Sequence, residues 1–201
     1  MQTKKVLFVT HAPFEQPGSM ETWAHQKGYS TQEVRPYMNE PLPAVDDFDF
    51  VIVMGGPQSP LDLENAPYLN DEIKLVREAI DKGKRIIGVC LGAQLIGEAL
   101  GATTERSPNR EIGSWPLTLL DSAKDDPIFS QFPDTFDVMH WHSDMPGIPE
   151  GGVLLAKSEG CPRQAFRYSD RVYGFQCHFE LTKELVEEMI TNCPSDLKAG
   201  Q

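Results

Sequence analysis

Arg85-Ile86-Ile87-Gly88-Val89-Cys90-Leu91-Gly92-Ala93-Gln94 runs an apolar, β-branched strand directly into a segment of helical composition, with a cysteine at the junction and a glycine two residues to either side. This is G-x-C-x-G, the cysteine form of the G-x-S-x-G elbow. So abrupt a turn puts the central residue in strained backbone, and the flanking glycines let strand and helix approach without Cβ clashes. The side chain is pushed out at the carboxyl end of the strand. There the helix N-terminus offers backbone N–H groups and the positive end of a dipole, both of which favour a thiolate and a developing oxyanion.

Working outward from the elbow, short β-rich runs alternate with longer amphipathic segments, the pattern of parallel strands joined by crossover helices. The expected strands are Lys4 to Thr10, Gln32 to Tyr37, Asp49 to Met54 and Arg85 to Val89. The expected helices are Met20 to Lys27, Leu69 to Asp81, with Ile73, Val76, Ala79 and Ile80 at helical spacing, and Ala93 to Leu100. From Ser114 to Asp170 the character changes. Short strands near Trp115 to Leu120, Phe136 to Trp141, Val153 to Ala156 and Gln164 to Tyr168 are divided by Pro and Gly turns, which predicts a small antiparallel extension of the sheet. A last strand, Val172 to Cys177, precedes a helix from Thr182 to Ile190. The expected class is α/β: a doubly wound, mostly parallel central sheet with helices on both faces, built as a single domain over residues 1–201.

A formal net charge of −12 disfavours nucleic acid and anionic membrane surfaces as partners. No apolar stretch approaches the roughly 18 residues of a membrane span, and the N-terminal run Val6 to Val9 is too short for a secretory signal. The cysteines Cys90, Cys161, Cys177 and Cys193 are scattered, with neither zinc-site nor disulfide spacing. A reducing cytoplasm is the expected compartment, and no cofactor or metal is expected.

A thiol nucleophile needs a base, and histidine suits that task near neutral pH. His178 follows the apolar strand Val172 to Cys177, so in a parallel sheet it emerges on the same edge as Cys90, where open α/β sheets bind ligands. Glu180, two residues on, points the same way if the extended conformation persists, and can orient the imidazole. His140 and His142 share one face of a strand and are open to two readings, metal ligands or substrate contacts, although spacing places no third ligand beside them. His11 and His25 have no evident partner and read as surface or loop residues. Gly55-Gly56-Pro57 follows the strand ending at Met54. Its glycines can turn a backbone N–H toward an incoming carbonyl oxygen, with the N–H of Leu91 as second donor.

Three pieces then stand together in order: VIVMGGP, GVCLGAQ and GFQCHFE. They resemble the class I glutamine amidotransferase domain over essentially the whole chain from Lys4 onward, and the segments EGCPRQAFRY and HWHSD look most like the branch related to the glutaminase domain of GMP synthase. The resemblance implies a flavodoxin-like sheet and a triad of Cys90, His178 and Glu180 that cleaves the side-chain amide of glutamine through a γ-glutamyl thioester. It further implies an oxyanion hole from the backbone N–H groups of Gly56 and Leu91, with Gly55 and Gln94 contacting substrate. Only the short tail TNCPSDLKAGQ follows Ile190. The expected roles are therefore a subunit passing ammonia to a separate synthetase, or a free-standing hydrolase of glutamine or a γ-glutamyl peptide or amine. A catalytically silent binding or regulatory module is the remaining alternative.

Overall fold

The runs of aliphatic and β-branched residues form the strands of one sheet. In the computed structural model, which describes residues 3–198, the strands are β1 (Lys5–Val9), β2 (Ser30–Val34), β3 (Phe50–Val53), β4 (Arg85–Val89), β5 (Glu105–Leu119), β6 (Thr135–Met145), β7 (Val153–Lys157), β8 (Ala165–Ser169) and β9 (Val172–Phe175). Five helices accompany them: α1 (Ser19–Gln26), α2 (Leu69–Asp81), α3 (Leu91–Ala99), α4 (Lys183–Asn192) and α5 (Pro194–Lys198). The sheet order is β2-β1-β3-β4-β9-β8-β7-β5-β6. From β2 through β9 the pairing is parallel, and from β9 through β6 it is antiparallel. This is the expected doubly wound α/β sheet with an antiparallel extension.

The two-residue period of the central strands divides their apolar side chains between two cores. Leu7, Val9, Val51, Val53 and Ile86 pack on one face against Leu69, Val76 and Ala79 of α2 and Leu95 and Ile96 of α3. Val6, Phe8, Ile52 and Met54 pack on the other against Ala24 and the partly buried Trp23 of α1. α3 is apolar nearly all round because nearly all of it is buried, beneath the loop that follows β3 and beside β4 and β9.

Several boundaries differ from expectation, each for a local reason. β2 ends at Val34, and Pro36 instead opens a 3₁₀ turn, since its missing N–H cannot continue the ladder. α3 begins at Leu91, directly off Cys90, two residues earlier than its composition suggested. β5 is far longer than the expected Trp115 to Leu120. It begins at Glu105, and Pro108 falls in an irregularity between Arg106 and Glu111 where the ladder with β6 is interrupted. The tail TNCPSDLKAGQ is structured as far as described: Thr191 and Asn192 complete α4, and α5 turns back toward the sheet edge.

The elbow depends on the two glycines as steric spaces. A Cβ on Gly92 would lie on the carbonyl oxygen of Val53, and one on Gly88 would lie on the backbone of Gly92. Both obstacles are backbone in neighbouring elements, so neither can swing aside. Gly92→Ala is therefore expected to separate α3 from β3 and lower stability by about 1–3 kcal/mol or more. Urea unfolding checks this, and an unchanged midpoint would show that the elbow tolerates the extra carbon.

Candidate active site

Cys90 sits in the left-handed half of backbone space, at φ 52° and ψ −109°. Such strain costs on the order of 1–3 kcal/mol and persists only where the surroundings enforce it. Here the Cys90 N–H donates to the Phe175 carbonyl at 2.7 Å, and the Cys90 carbonyl accepts from the N–H groups of Ala93 (3.0 Å) and Gln94 (3.3 Å). The strand end and the first helical turn are thus bolted to one residue. Its thiol donates to the Trp141 carbonyl at 3.7 Å and accepts from Gln176 Nε2 at 3.4 Å.

β9 pairs in parallel with β4, Val89 opposite Phe175, so the residues that follow both strands leave the sheet at one edge. His178 is anchored there by its N–H, which donates to the Met139 carbonyl at 2.8 Å. Its Nδ1 lies 2.7 Å from Glu180 Oε1, both side chains being almost fully buried. Among the described residues its Nε2 has no partner other than the Cys90 thiol beside it. Gly55 separates the two: a Cβ there would touch Cys90 Cβ and His178 Cε1, each at 3.4 Å. Burial by itself lowers the pKa of His178. The charge and hydrogen bond of Glu180, with the contribution of Cys90, outweigh it and hold the imidazole well above its ordinary value. An imidazolium that persists at neutral pH is suited to stabilising a neighbouring thiolate.

Leu91 is the first residue of α3, so its N–H belongs to the group that a helix N-terminus leaves without an intrahelical acceptor. Gly56 borders the same cavity as Cys90, and its N–H makes no hydrogen bond among the described residues. The carbonyl of Gly55 is already taken by His11. Gln94 lines the cavity but is buried, donates through Nε2 to Gln176 Oε1 at 3.0 Å, and its buried Oε1 has no hydrogen-bond partner among the described residues. Through Gln176 it is tied to the Cys90 thiol.

Two expectations for the histidines need correction. His11 is no surface residue: it is fully buried beneath the Gly55-Gly56 loop, with Nδ1 3.0 Å from the Gly55 carbonyl and Nε2 2.8 Å from Glu72 Oε2. A carbonyl can only accept, so Nδ1 carries a proton, and Nε2 faces a carboxylate. Burial pulls the His11 pKa down, but the charge and hydrogen bond of Glu72 prevail and raise it. His140 and His142, for which spacing placed no third partner, are joined in space by Glu111 of β5. Its Oε2 lies 3.3 Å from His142 Nε2 and 3.7 Å from His140 Nδ1. The same carboxylate accepts from Ser158 Oγ and Gln164 Nε2 at 2.7 Å each and from the Gly160 N–H at 3.1 Å. Burial would raise the pKa of Glu111, yet these donors and the two histidines hold it down to about 2. Committed to so many protein donors, Glu111 is the hub of a network tying β5 and β6 to the loop before β8. His25 is exposed, as expected, with Thr31 Oγ1 3.2 Å from its Nε2.

The cavity over Cys90 has a volume of about 510 Å³. Its walls hold charged pairs drawn from distant parts of the chain: Arg106 with Asp144 at 2.6 Å, and Arg110 with Asp196 at 2.6 Å. Ser59 Oγ also donates to Asp144 at 2.6 Å, and Trp141 Nε1 to Asp196 at 2.9 Å. Asp196 comes from the tail and was not foreseen. Nor was Glu15, which lies in the segment after β1, on the same sheet edge as Cys90. The rule that ligands sit at the carboxyl ends of parallel strands, applied to β1 as it was to β4 and β9, would have pointed to it.

A family model described as glutamine amidotransferase class-I matches residues 19–193, and the chain belongs to that family. It is 44% identical to the glutamine amidotransferase-like protein YfeJ of Salmonella typhimurium, over 98% of this chain and 84% of that protein. A GMP synthase [glutamine-hydrolyzing] of Thermosipho africanus is 37% identical over 66% of this chain, a match that spans only 24% of the synthase. Among solved structures, a glutamine amidotransferase from Thermotoga maritima superposes with a TM-score of 0.90 at 27% identity, covering 99% of this chain and 86% of that one. No described helix is long and apolar enough to cross a membrane.

Removing one partner of a buried ion pair leaves the other uncompensated, at a cost of about 3–5 kcal/mol. His11→Ala is expected to lose about that much in urea unfolding at pH 6. Because its folded pKa is raised, the stabilisation due to His11 is fully present below about pH 6.5 and disappears as pH rises through the raised value. The gap between wild type and His11→Ala should accordingly narrow at alkaline pH.

Proposed function

We propose that this chain, acting as a single class I amidotransferase domain, hydrolyses the side-chain amide of glutamine with Cys90 as nucleophile. The observation that carries this reading is the 2.7 Å contact of His178 with Glu180, with the free Nε2 of His178 turned to a thiol on a strained elbow. The Cys90 thiolate adds to the carboxamide carbon, and the carbonyl electrons move to oxygen, where the N–H groups of Leu91 and Gly56 receive the charge. The His178 imidazolium gives its proton to the nitrogen as the C–N bond breaks, releasing ammonia and leaving a γ-glutamyl thioester. His178, now neutral, takes a proton from water as the oxygen attacks the thioester. The C–S bond breaks, glutamate departs, and the thiolate–imidazolium pair returns. Glu180 fixes the tautomer and stabilises the cation throughout. No cofactor takes part in any step.

The cavity favours a second reading. Its volume of about 510 Å³ lies within the range, roughly 300–1,000 Å³, of pockets that enclose drug-sized ligands, so a γ-glutamyl peptide or amine has room beyond the scissile bond. Alternatively, the space opens toward a synthetase subunit that takes up the ammonia, as the kinship with GMP synthases suggests.

Wild type is expected to release equimolar ammonia and glutamate from glutamine, and Cys90→Ala to release neither. Glu180→Gln, which keeps the shape but permits the wrong tautomer, should lower kcat on the order of 10⁴-fold. Equal turnover by wild type and Cys90→Ala would remove Cys90 from the reaction. Turnover of γ-glutamyl peptides or amines with none of glutamine would decide for the free-standing conjugate hydrolase.

A further inference from the structure

Among the described carboxylates that line the cavity, Glu15 is the one that makes neither an ion pair nor a side-chain hydrogen bond: Asp62 accepts from Asn65, Asp144 pairs with Arg106 and Asp196 with Arg110. The side chain of Glu15 is about nine-tenths buried. Its Oε2 lies over the Gly55 backbone, at the position whose other neighbours are Cys90 Cβ and His178 Cε1. The remaining carboxylates nearby are all engaged: Glu180 with His178, Glu72 with His11, Asp144 with Arg106, and Asp196 with Arg110. The charged groups that face Glu15 are His178, His11, Glu180 and Asp196. Burial outweighs the two histidines and pushes its pKa up to about 7. A carboxylate this buried and without a direct partner either takes up a proton or is completed by a cation.

Glu15 lines the cavity, so a completing cation belongs to whatever occupies it. We propose that Glu15 is the seat of an ammonium group on the ligand, one that also places a scissile amide at Cys90. The inference rests on the reading of Cys90 as the reacting centre. Two parts of a γ-glutamyl compound carry such a group: the α-ammonium of the glutamyl half, or a second amine on the leaving half. Both present the same chemistry to Glu15, an alkylammonium with N–H donors, and both relieve the same buried charge.

Two measurements on wild type and Glu15→Gln test this. Glu15→Gln keeps the shape and breaks no ion pair or side-chain hydrogen bond, so its thermal midpoint should stay close to that of wild type. In the first measurement, modification of Cys90 is followed by peptide mass spectrometry with a cationic aminoethyl thiosulfonate and its neutral methyl counterpart at pH 8. Each transfers its thioalkyl group to the thiolate and releases methanesulfinate. Wild type should prefer the cationic reagent, and Glu15→Gln should lose about tenfold of that preference. No preference in wild type, or one that survives in the variant, overturns the proposal.

The second measurement is kcat/KM on two matched pairs: glutamine with glutaramate, which lacks the α-ammonium, and γ-glutamyl-diaminobutane with γ-glutamyl-butylamide, which lacks the distal one. If Glu15 seats the α-ammonium, Glu15→Gln should lose about tenfold on the three substrates that carry it and nothing on glutaramate; if it seats the distal amine, the loss should fall on γ-glutamyl-diaminobutane alone. Equal losses on all four substrates make Glu15 a general positioning group and overturn the ammonium seat while leaving the proposed hydrolysis intact. If wild type turns over none of the four, the proposed hydrolysis falls, and the thiosulfonate preference still decides the role of Glu15.

Discussion

The site depends on one strained residue. Cys90 holds φ at 52° because its N–H is bound to Phe175 at the end of β9 and its carbonyl to the first turn of α3. That single arrangement makes the strand-to-helix turn, lifts the thiol off the sheet, and ties it to the strand that delivers His178. The two glycines of the elbow supply the space, and the backbones of β3 and α3 fill it so closely that nothing larger fits. Strain of this kind is local, but it is sustained by the parallel pairing of β4 with β9, and so by the whole central sheet.

Around that point the protein repeats one device. Two buried histidine–carboxylate pairs, His178 with Glu180 and His11 with Glu72, stand on either side of the Gly55-Gly56 loop, each at 2.7–2.8 Å. The first aims an imidazole at the thiol. The second holds the loop from beneath, through the Gly55 carbonyl. Buried pairs of this sort add little net stability but penalise any arrangement that separates them, so they serve geometry more than energy. Glu15, which lines the cavity without an ion pair among the described residues, breaks the pattern.

The antiparallel extension contributes walls. β5 and β6 bring Arg106, Arg110, Trp141 and Asp144 to the cavity, and the tail closes it with Asp196. The Glu111 network beneath them, with His140 and His142, keeps this half of the sheet in register where the β5 ladder is interrupted. Relatives that share the central sheet can therefore differ in what surrounds the same thiol, because the walls come from loops and from strands outside the parallel core.

The sequence by itself determined the elements whose chemistry is local. The G-x-C-x-G elbow, the buried strand before it, the His-x-Glu spacing at 178 and 180, and α2 with its 3.6-residue period are all legible from neighbours in the chain. It determined too that these pieces meet, since parallel strands share one carboxyl edge. Tertiary structure alone decided what depends on distant partners. His11 carries no local sign of Glu72, which lies 61 residues away, and His142 none of Glu111, 31 residues before it on another strand. The length of β5 was hidden by the break at Pro108, where its ladder with β6 is interrupted. A burial state, unlike a helical period, is set by every element that packs on a residue. For that reason Cys90 could be singled out from ten residues of sequence, whereas the ion pairs around it and the burial of Glu15 required the fold.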